Sequence, residues 1–320
     1  MTTTKVTEPA ADAQHAGNHG NGGTLFGIVI VNLMLIIVTL GIYSFWAKVR
    51  TRRYLYAQTE FIGDRFAYHG TGKELFLGAL KMLLVLIGFY AVFFLVARFA
   101  SPVLAMVFIY LALAAAIPFA LYGSMRYAMS RTSWRNIRFS FRGHLGECYK
   151  QYLGGILLTV MTLGLYLPFF HANMRRYWFN GAYFGNTAFA YDGNGKDLFW
   201  QFLLAILLTV PTLGLYWIWY SARQMRYDWA HTSFSSGKFF SKVTGGAILW
   251  LSASNLLLLI VTLGFALPWI VMRNIRFVLE RTGMQGVIGW DKVMADARAP
   301  RVGAAGEMLA DGLDVGVTIA

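Results

Sequence analysis

TVPTLGLYWIWYSARQMRYDWA, Thr209 to Ala230, carries an uncharged stretch into a cationic, aromatic end. The chain writes this phrase four times: Thr-Leu-Gly, several aromatic residues, then an arginine beside a tyrosine or phenylalanine. With the glycine as a ruler, Gly41, Gly164, Gly214 and Gly264 are each followed 13 residues later by Tyr54, Tyr177, Tyr227 and Phe277. Arg53, Arg176, Arg226 and Arg276 stand immediately before them. Arg126-Tyr127 is a fifth anchor that lacks the upstream Thr-Leu-Gly. Anchors 127, 177, 227 and 277 are 50 residues apart, whereas 54 and 127 are 73 apart, so the second unit carries 23 extra residues. A fixed period of this length marks a tandem repeat.

Composition says where such units belong. Hydrophobic residues make up 57% of the 320 and charged residues 13%, about half the charged share of soluble domains. Arg98 and Arg126 enclose 27 uncharged residues, Asp197 and Arg223 enclose 25, and Lys242 and Arg273 enclose 30. About 20 apolar residues cross the hydrocarbon core as a helix. The chain therefore reads as an integral membrane protein. Its net charge of +13 fits cytoplasmic loops rich in Lys and Arg better than nucleic-acid binding. Residues 1–23 are polar and read as a disordered tail. Thr24 to Ala47 is too long for a signal-peptide core. Residues 24–292 form the membrane repeat domain, and 293–320 read as a flexible tail whose apolar and acidic end could dock on the basic face. The single cysteine, Cys148, allows no internal disulfide.

Downstream of the anchors the likeness persists. Twelve residues on stand Phe66, Phe139, Phe189 and Phe239, with Gly289 in the fifth unit; twenty on stand Glu74, Glu147 and Asp197. Between anchor and phenylalanine, Gly63-Asp64, Gly185-Asn186 and Ser236-Gly237 separate short β-prone runs, the pattern of a two-residue hairpin turn. The expected fold is an all-α polytopic membrane protein of five tandem units of about 50 residues, each a broken or hairpin helix, with small β-hairpins between them on the cytoplasmic side.

Two arrangements fit each unit. A single kinked crossing would put successive arginine tails on opposite sides. A turn at Thr-Leu-Gly would return the chain and place all tails, and both termini, in the cytoplasm, with the β-hairpins as neighbours able to pair. Charge favours the return, since it leaves 27 of 28 Lys and Arg residues on one side and Arg98 alone on the other. Length opposes it: Lys150 to Gly164 spans about 21 Å as helix against a core of about 30 Å.

VTLGIYSFWAKVRTRRYLYAQTEFIGDRFAYHGTGKELF, Val38 to Phe76, resembles the signature of the YjgN-like family of bacterial inner-membrane proteins, and the likeness runs from about Thr24 onward. The resemblance implies a multi-pass protein of the inner membrane. It brings no reaction, cofactor or catalytic residue.

The residues themselves carry no Walker A loop, no metal-spaced Cys or His pair and no acid–base pair, so neither an enzyme nor a cofactor is expected. Arg53, Arg126, Arg176, Arg226 and Arg276, with Tyr54, Tyr127, Tyr177 and Tyr227, have two readings. They anchor helix ends among anionic lipid headgroups, the partners expected, or they converge on an anionic ligand. His171 and Asn173 are intramembrane polar candidates. The expected function is transport or binding of a small or lipidic anion; the alternative is a structural or assembly protein. Protein partners and nucleic acid are not indicated.

Overall fold

A computed structural model describes residues 14–286 together with Trp290 and Val293. The helices come in pairs: α1 (Gly22–Val38) and α2 (Ser44–Gln58), α3 (Gly72–Phe99) and α4 (Pro102–Ser130), α5 (Leu145–Met161) and α6 (Leu167–Asn180), α7 (Gly195–Leu208) and α8 (Tyr216–Ala230), α9 (Gly245–Val261) and α10 (Leu267–Arg281). The strands are β1 (Gln14–Asn18), β2 (Thr59–Phe61), β3 (Asp64–Tyr68), β4 (Thr132–Trp134), β5 (Ile137–Phe141), β6 (Ala182–Phe184), β7 (Thr187–Tyr191), β8 (Thr232–Phe234), β9 (Gly237–Ser241) and β10 (Thr282–Gln285). Each helix pair leaves the strands, turns, and comes back to them.

Thr-Leu-Gly is that turn. The Thr39 hydroxyl donates to Leu35 O at 2.7 Å and accepts from Tyr43 N at 3.0 Å; Thr162, Thr212 and Thr262 repeat both bonds. The glycine N–H reaches back five residues, as Gly41 N does to Ile36 O at 2.8 Å. This closes the helix in a Schellman-type cap. The left-handed residue before it is a leucine rather than the usual glycine, with φ of 49°, 50°, 48° and 50° at Leu40, Leu163, Leu213 and Leu263. Each costs about 1 kcal/mol or more, and among the described residues these four are the most exposed large apolar side chains, at 88–94%.

The strands correct the all-α expectation. They do not sit as five separate hairpins but close into one antiparallel barrel of ten strands, in the order β1-β10-β9-β8-β7-β6-β5-β4-β3-β2. An isolated hairpin leaves unpaired N–H and C=O groups on both edges. Because every helix pair returns to the same end, neighbouring hairpins meet edge to edge, and β3 pairs β4 through Phe66–Trp134 as β5 pairs β6 through Phe139–Phe184. Residues Gln14–Asn18, within the stretch expected to be a tail, supply β1. It pairs β10 on one side and β2 on the other, taking the place of the second strand of the fifth hairpin. The tail expected from residue 293 lies outside the described residues except for Val293.

Alternation along the strands points two aromatic layers into the barrel. Phe61, Trp134, Phe184, Phe234 and Met284 form one; Phe66, Phe139, Phe189 and Phe239 form the other, each ring about parallel to the next at 6.3–6.4 Å. Ala16 holds the fifth place of the second layer, opposite Phe61. Trp290 and Val293 pack into this core, with Trp290 5.0 Å from Trp134. The barrel is a filled core and not a pore.

The extra residues of the second unit lengthen both its helices. α3 and α4 contain 28 and 29 residues, against 14 to 17 in the others. Among the described residues these two alone are long and apolar enough to cross a membrane. Against the expected polytopic array of five membrane-embedded units, both qualifying helices belong to the enlarged second unit.

Candidate functional site

The repeated arginines and tyrosines are joints. Each odd-numbered helix begins beside the barrel at a capping residue, and the preceding residue offers a carbonyl. Arg53 Nη2 donates to Gly70 O at 2.8 Å, Arg176 Nη2 to Gly193 O at 2.7 Å, and Arg226 Nη1 to Val243 O. Arg276 Nη2 donates to Gly20 O at 2.5 Å, so the last unit grips the first. The arginine thus ties its helix to the next unit. The tyrosine ties the same helix to its own partner. Tyr54 Oη accepts from Asn21 N at 2.8 Å and donates to Asn21 O at 3.0 Å. Tyr177 Oη donates to His144 O at 2.9 Å, and Tyr227 Oη accepts from Asn194 N at 2.7 Å. Tyr127 Oη donates instead to Glu74 Oε2 at 3.1 Å.

Arg126 is the exception, giving Nη1 to the Tyr122 hydroxyl at 3.2 Å. An aromatic residue packs on glycine at the same seams. A Cβ on Gly22, Gly72 or Gly245 would lie 2.4–2.6 Å from the indoles of Trp269, Trp46 or Trp219, and one on Gly195 would lie 2.4 Å from Phe169 Cα. The aromatic, arginine and tyrosine of each phrase therefore hold the ring together. Both sequence readings missed this, because the bonded carbonyl lies 17 residues downstream, in another unit.

His171 and Asn173 separate in role. His171 Nε2 lies 2.8 Å from Asp228 Oδ2, whose other oxygen accepts from Tyr191 Oη at 2.8 Å, with Arg175 Nη1 at 3.7 Å. Asp228 is buried, and its charge is compensated by this set. Burial pushes the Tyr191 phenol far above its usual range and the Asp228 carboxylate adds to it, so Tyr191 stays a donor. Asp228 has no acidic counterpart at the same place after the other anchors, which are followed by Leu55, Ala128, Trp178 and Val278. Asn173 lines a polar cavity instead, with Arg176, Tyr177, Arg142 and Glu147. Among the described residues no cluster of His, Cys, Asp and Glu could hold a metal.

The larger cavity, about 740 Å³, lies where the ring closes, between α1, α9 and α10. Its lining is graded. Arg276 stands nearest the barrel, Arg273 one turn further along α10, then Trp269 packed against Gly22 and Phe26, and finally Leu258, Thr262 and Phe265 near the helix tips. Arg273 Nη2 donates to Ser254 Oγ at 2.9 Å.

The family model described as "Bacterial protein of unknown function (DUF898)" matches residues 15–218 and 200–312. The chain is 37% identical over 123 residues to the inner membrane protein YjgN of Escherichia coli strain K12, which covers 38% of this chain and 30% of that protein. It is 32% identical over 149 residues to the inner membrane protein YjgN of Salmonella typhimurium strain LT2, covering 46% and 36%. The matches span about a third of the length of these relatives. No solved structure matches. Kinship with proteins named for the inner membrane supports the same location here. The chain belongs to the DUF898 family, and it is similar to the YjgN inner-membrane proteins.

Proposed function

We propose that this is a repeat-built ring inserted into the inner membrane from its cytoplasmic face, which binds an anionic amphiphile in the groove where the ring closes. The graded lining of that groove carries the reading. A phosphate or carboxylate headgroup meets Arg273 and Arg276 near the barrel, and an acyl chain runs past Trp269 and Phe26 toward Leu258 and Phe265. The tips of the four short helix pairs support the orientation. Four leucines more than four-fifths exposed are costly in water and at ease in hydrocarbon. The short pairs reach about 21–26 Å at 1.5 Å per residue, so they dip into the bilayer while α3 and α4 span it.

Conduction along the ring axis is disfavoured by the packed aromatic layers in the barrel. That same dry core favours a second reading, a scaffold that organises lipid without carrying any solute.

Native mass spectrometry of the detergent-solubilised protein with mixed phospholipids tests the groove. Anionic phospholipid is expected to be retained over zwitterionic phospholipid, with Arg273→Gln lowering retention at least fivefold. Equal retention of both lipid classes by the parent protein would leave only the scaffold. Release of a trapped small anion from vesicles containing the protein would restore conduction.

A further inference from the structure

The three middle units differ at one position, and in the third unit that position lines a cavity. Four residues after the tyrosine anchor the second unit has Arg131, the third Gly181 and the fourth His231. Arg131 grips Glu74 with two bonds, Nη2–Oε1 at 2.8 Å and Nε–Oε2 at 3.1 Å. His231 pairs with Asp192 at 2.7 Å and lies 4.2 Å from the Tyr227 ring. Glu147 is the third unit's counterpart of Glu74. Among the described residues it makes no ion pair and accepts only from Gln151 Nε2, at 2.6 Å.

The flanking units carry a basic side chain at this position; the third unit has glycine, beside a cavity of about 320 Å³. Gly181 lines it, and the Phe141 ring takes the place of a side chain there: a Cβ would lie 2.6 Å from Phe141 Cε2 and 3.1 Å from Tyr177 O. Glu147 and Gln151 line it together with Arg142 and Arg176. Both guanidiniums are fixed. Arg142 lies 4.0 Å over the Tyr183 ring and donates to Gly185 O at 2.9 Å, and Arg176 donates to Gly193 O at 2.7 Å.

We propose that this cavity binds a small zwitterion, with an ammonium or guanidinium group against Glu147 and a carboxylate facing Arg142 and Arg176. The cation of the ligand plays toward Glu147 the part that Arg131 plays toward Glu74 one unit earlier. The fixed arginines supply planar donors for a carboxylate at little ordering cost. The site lies apart from the lipid groove and does not depend on it.

Calorimetric titration of the full chain in detergent micelles, with L-arginine as probe, tests the assignment. Saturable binding is expected, weakened at least tenfold in Glu147→Gln and at least tenfold weaker for methylguanidinium and for acetate than for L-arginine. No saturable heat with either L-arginine or L-lysine overturns the proposal. So does undiminished affinity in a Glu147→Gln protein that melts at the parental temperature. If that variant melts early, the probe series on the parent decides: methylguanidinium binding as tightly as L-arginine overturns the zwitterionic assignment.

Discussion

Four seams of the ring share one design, and the seam between α4 and α5 has another. At the shared seams an aromatic residue covers a glycine and an arginine grips the carbonyl before the helix cap. At α4–α5 the corresponding helix start is Leu145, not glycine, and Arg126 turns to Tyr122. Other bonds do the joining there: Tyr149 Oη donates to Ala115 O at 2.5 Å, and Cys148 Sγ lies 3.6 Å from Pro118 O. Pro118 sits inside α4, where its missing N–H and its ring disturb the helical ladder, and carbonyls on both sides of this break accept from α5. The longer unit thus replaces backbone grips made by its own arginine with grips made by its neighbour's side chains. What the ring needs at each seam is a satisfied, close-packed contact, and more than one residue set supplies it.

The comparison can be broken most severely at the strand that closes the barrel. Deleting residues 1–18 removes β1 and bares the edges of β2 and β10; the expected outcome is loss of the monodisperse species in detergent, read by size-exclusion chromatography. Next comes the glycine at a shared seam. Gly195→Ala drives a Cβ into the Phe169 backbone and is expected to cost about 3 kcal/mol, while Gly146→Ala, which meets open space, should be neutral or slightly stabilising. Thermal melting of the pair reads the contrast, and equal melting temperatures would refute the close-packed seam.

A smaller effect separates the arginines. Arg226→Gln loses the grip on Val243 O and should cost about 1–2 kcal/mol; Arg126→Gln, with only Tyr122 to lose, should cost less. The reverse order would show that the shared seams do not depend on the arginine.

Smallest is a pH effect at the second unit. Burial first, then Arg138, Arg53 and Arg131, hold the His69 pKa below 6.5, with Nε2 2.7 Å from Ser133 Oγ. The unfolded chain therefore binds the proton first as pH falls from about 6.5, and stability declines in that window. His69→Gln should flatten that decline, and an unchanged slope would remove His69 from it.

Much of this architecture can be read from residues that act locally. Thr39, Leu40 and Gly41 make their turn with neighbours a few residues away, so the phrase announces a break wherever it occurs. The hairpins follow from Gly63 and Asn186 in the same way. Closure of the barrel is different, since QHAGN has no strand pattern of its own and becomes β1 only because β10 and β2 present free edges to it. The joints were equally hidden: arginine beside tyrosine at the end of an apolar run reads as a headgroup anchor, and its carbonyl partner belongs to the next unit. Asp228 escaped notice because its setting comes from His171, 57 residues away, and Tyr191, 37 away.

The pairing of β10 with β1 has a consequence for order of assembly. As the polypeptide leaves the ribosome, the growing sheet keeps two raw margins, β1 and the newest strand, until residue 285 emerges, and only then does β10 join them and seal the ring. Circular logic of this kind makes the position of the cut arbitrary. A permutant whose old ends are fused by a flexible linker, and which is reopened in the turn between Ser236 and Gly237, should rebuild the same annulus from a different starting point.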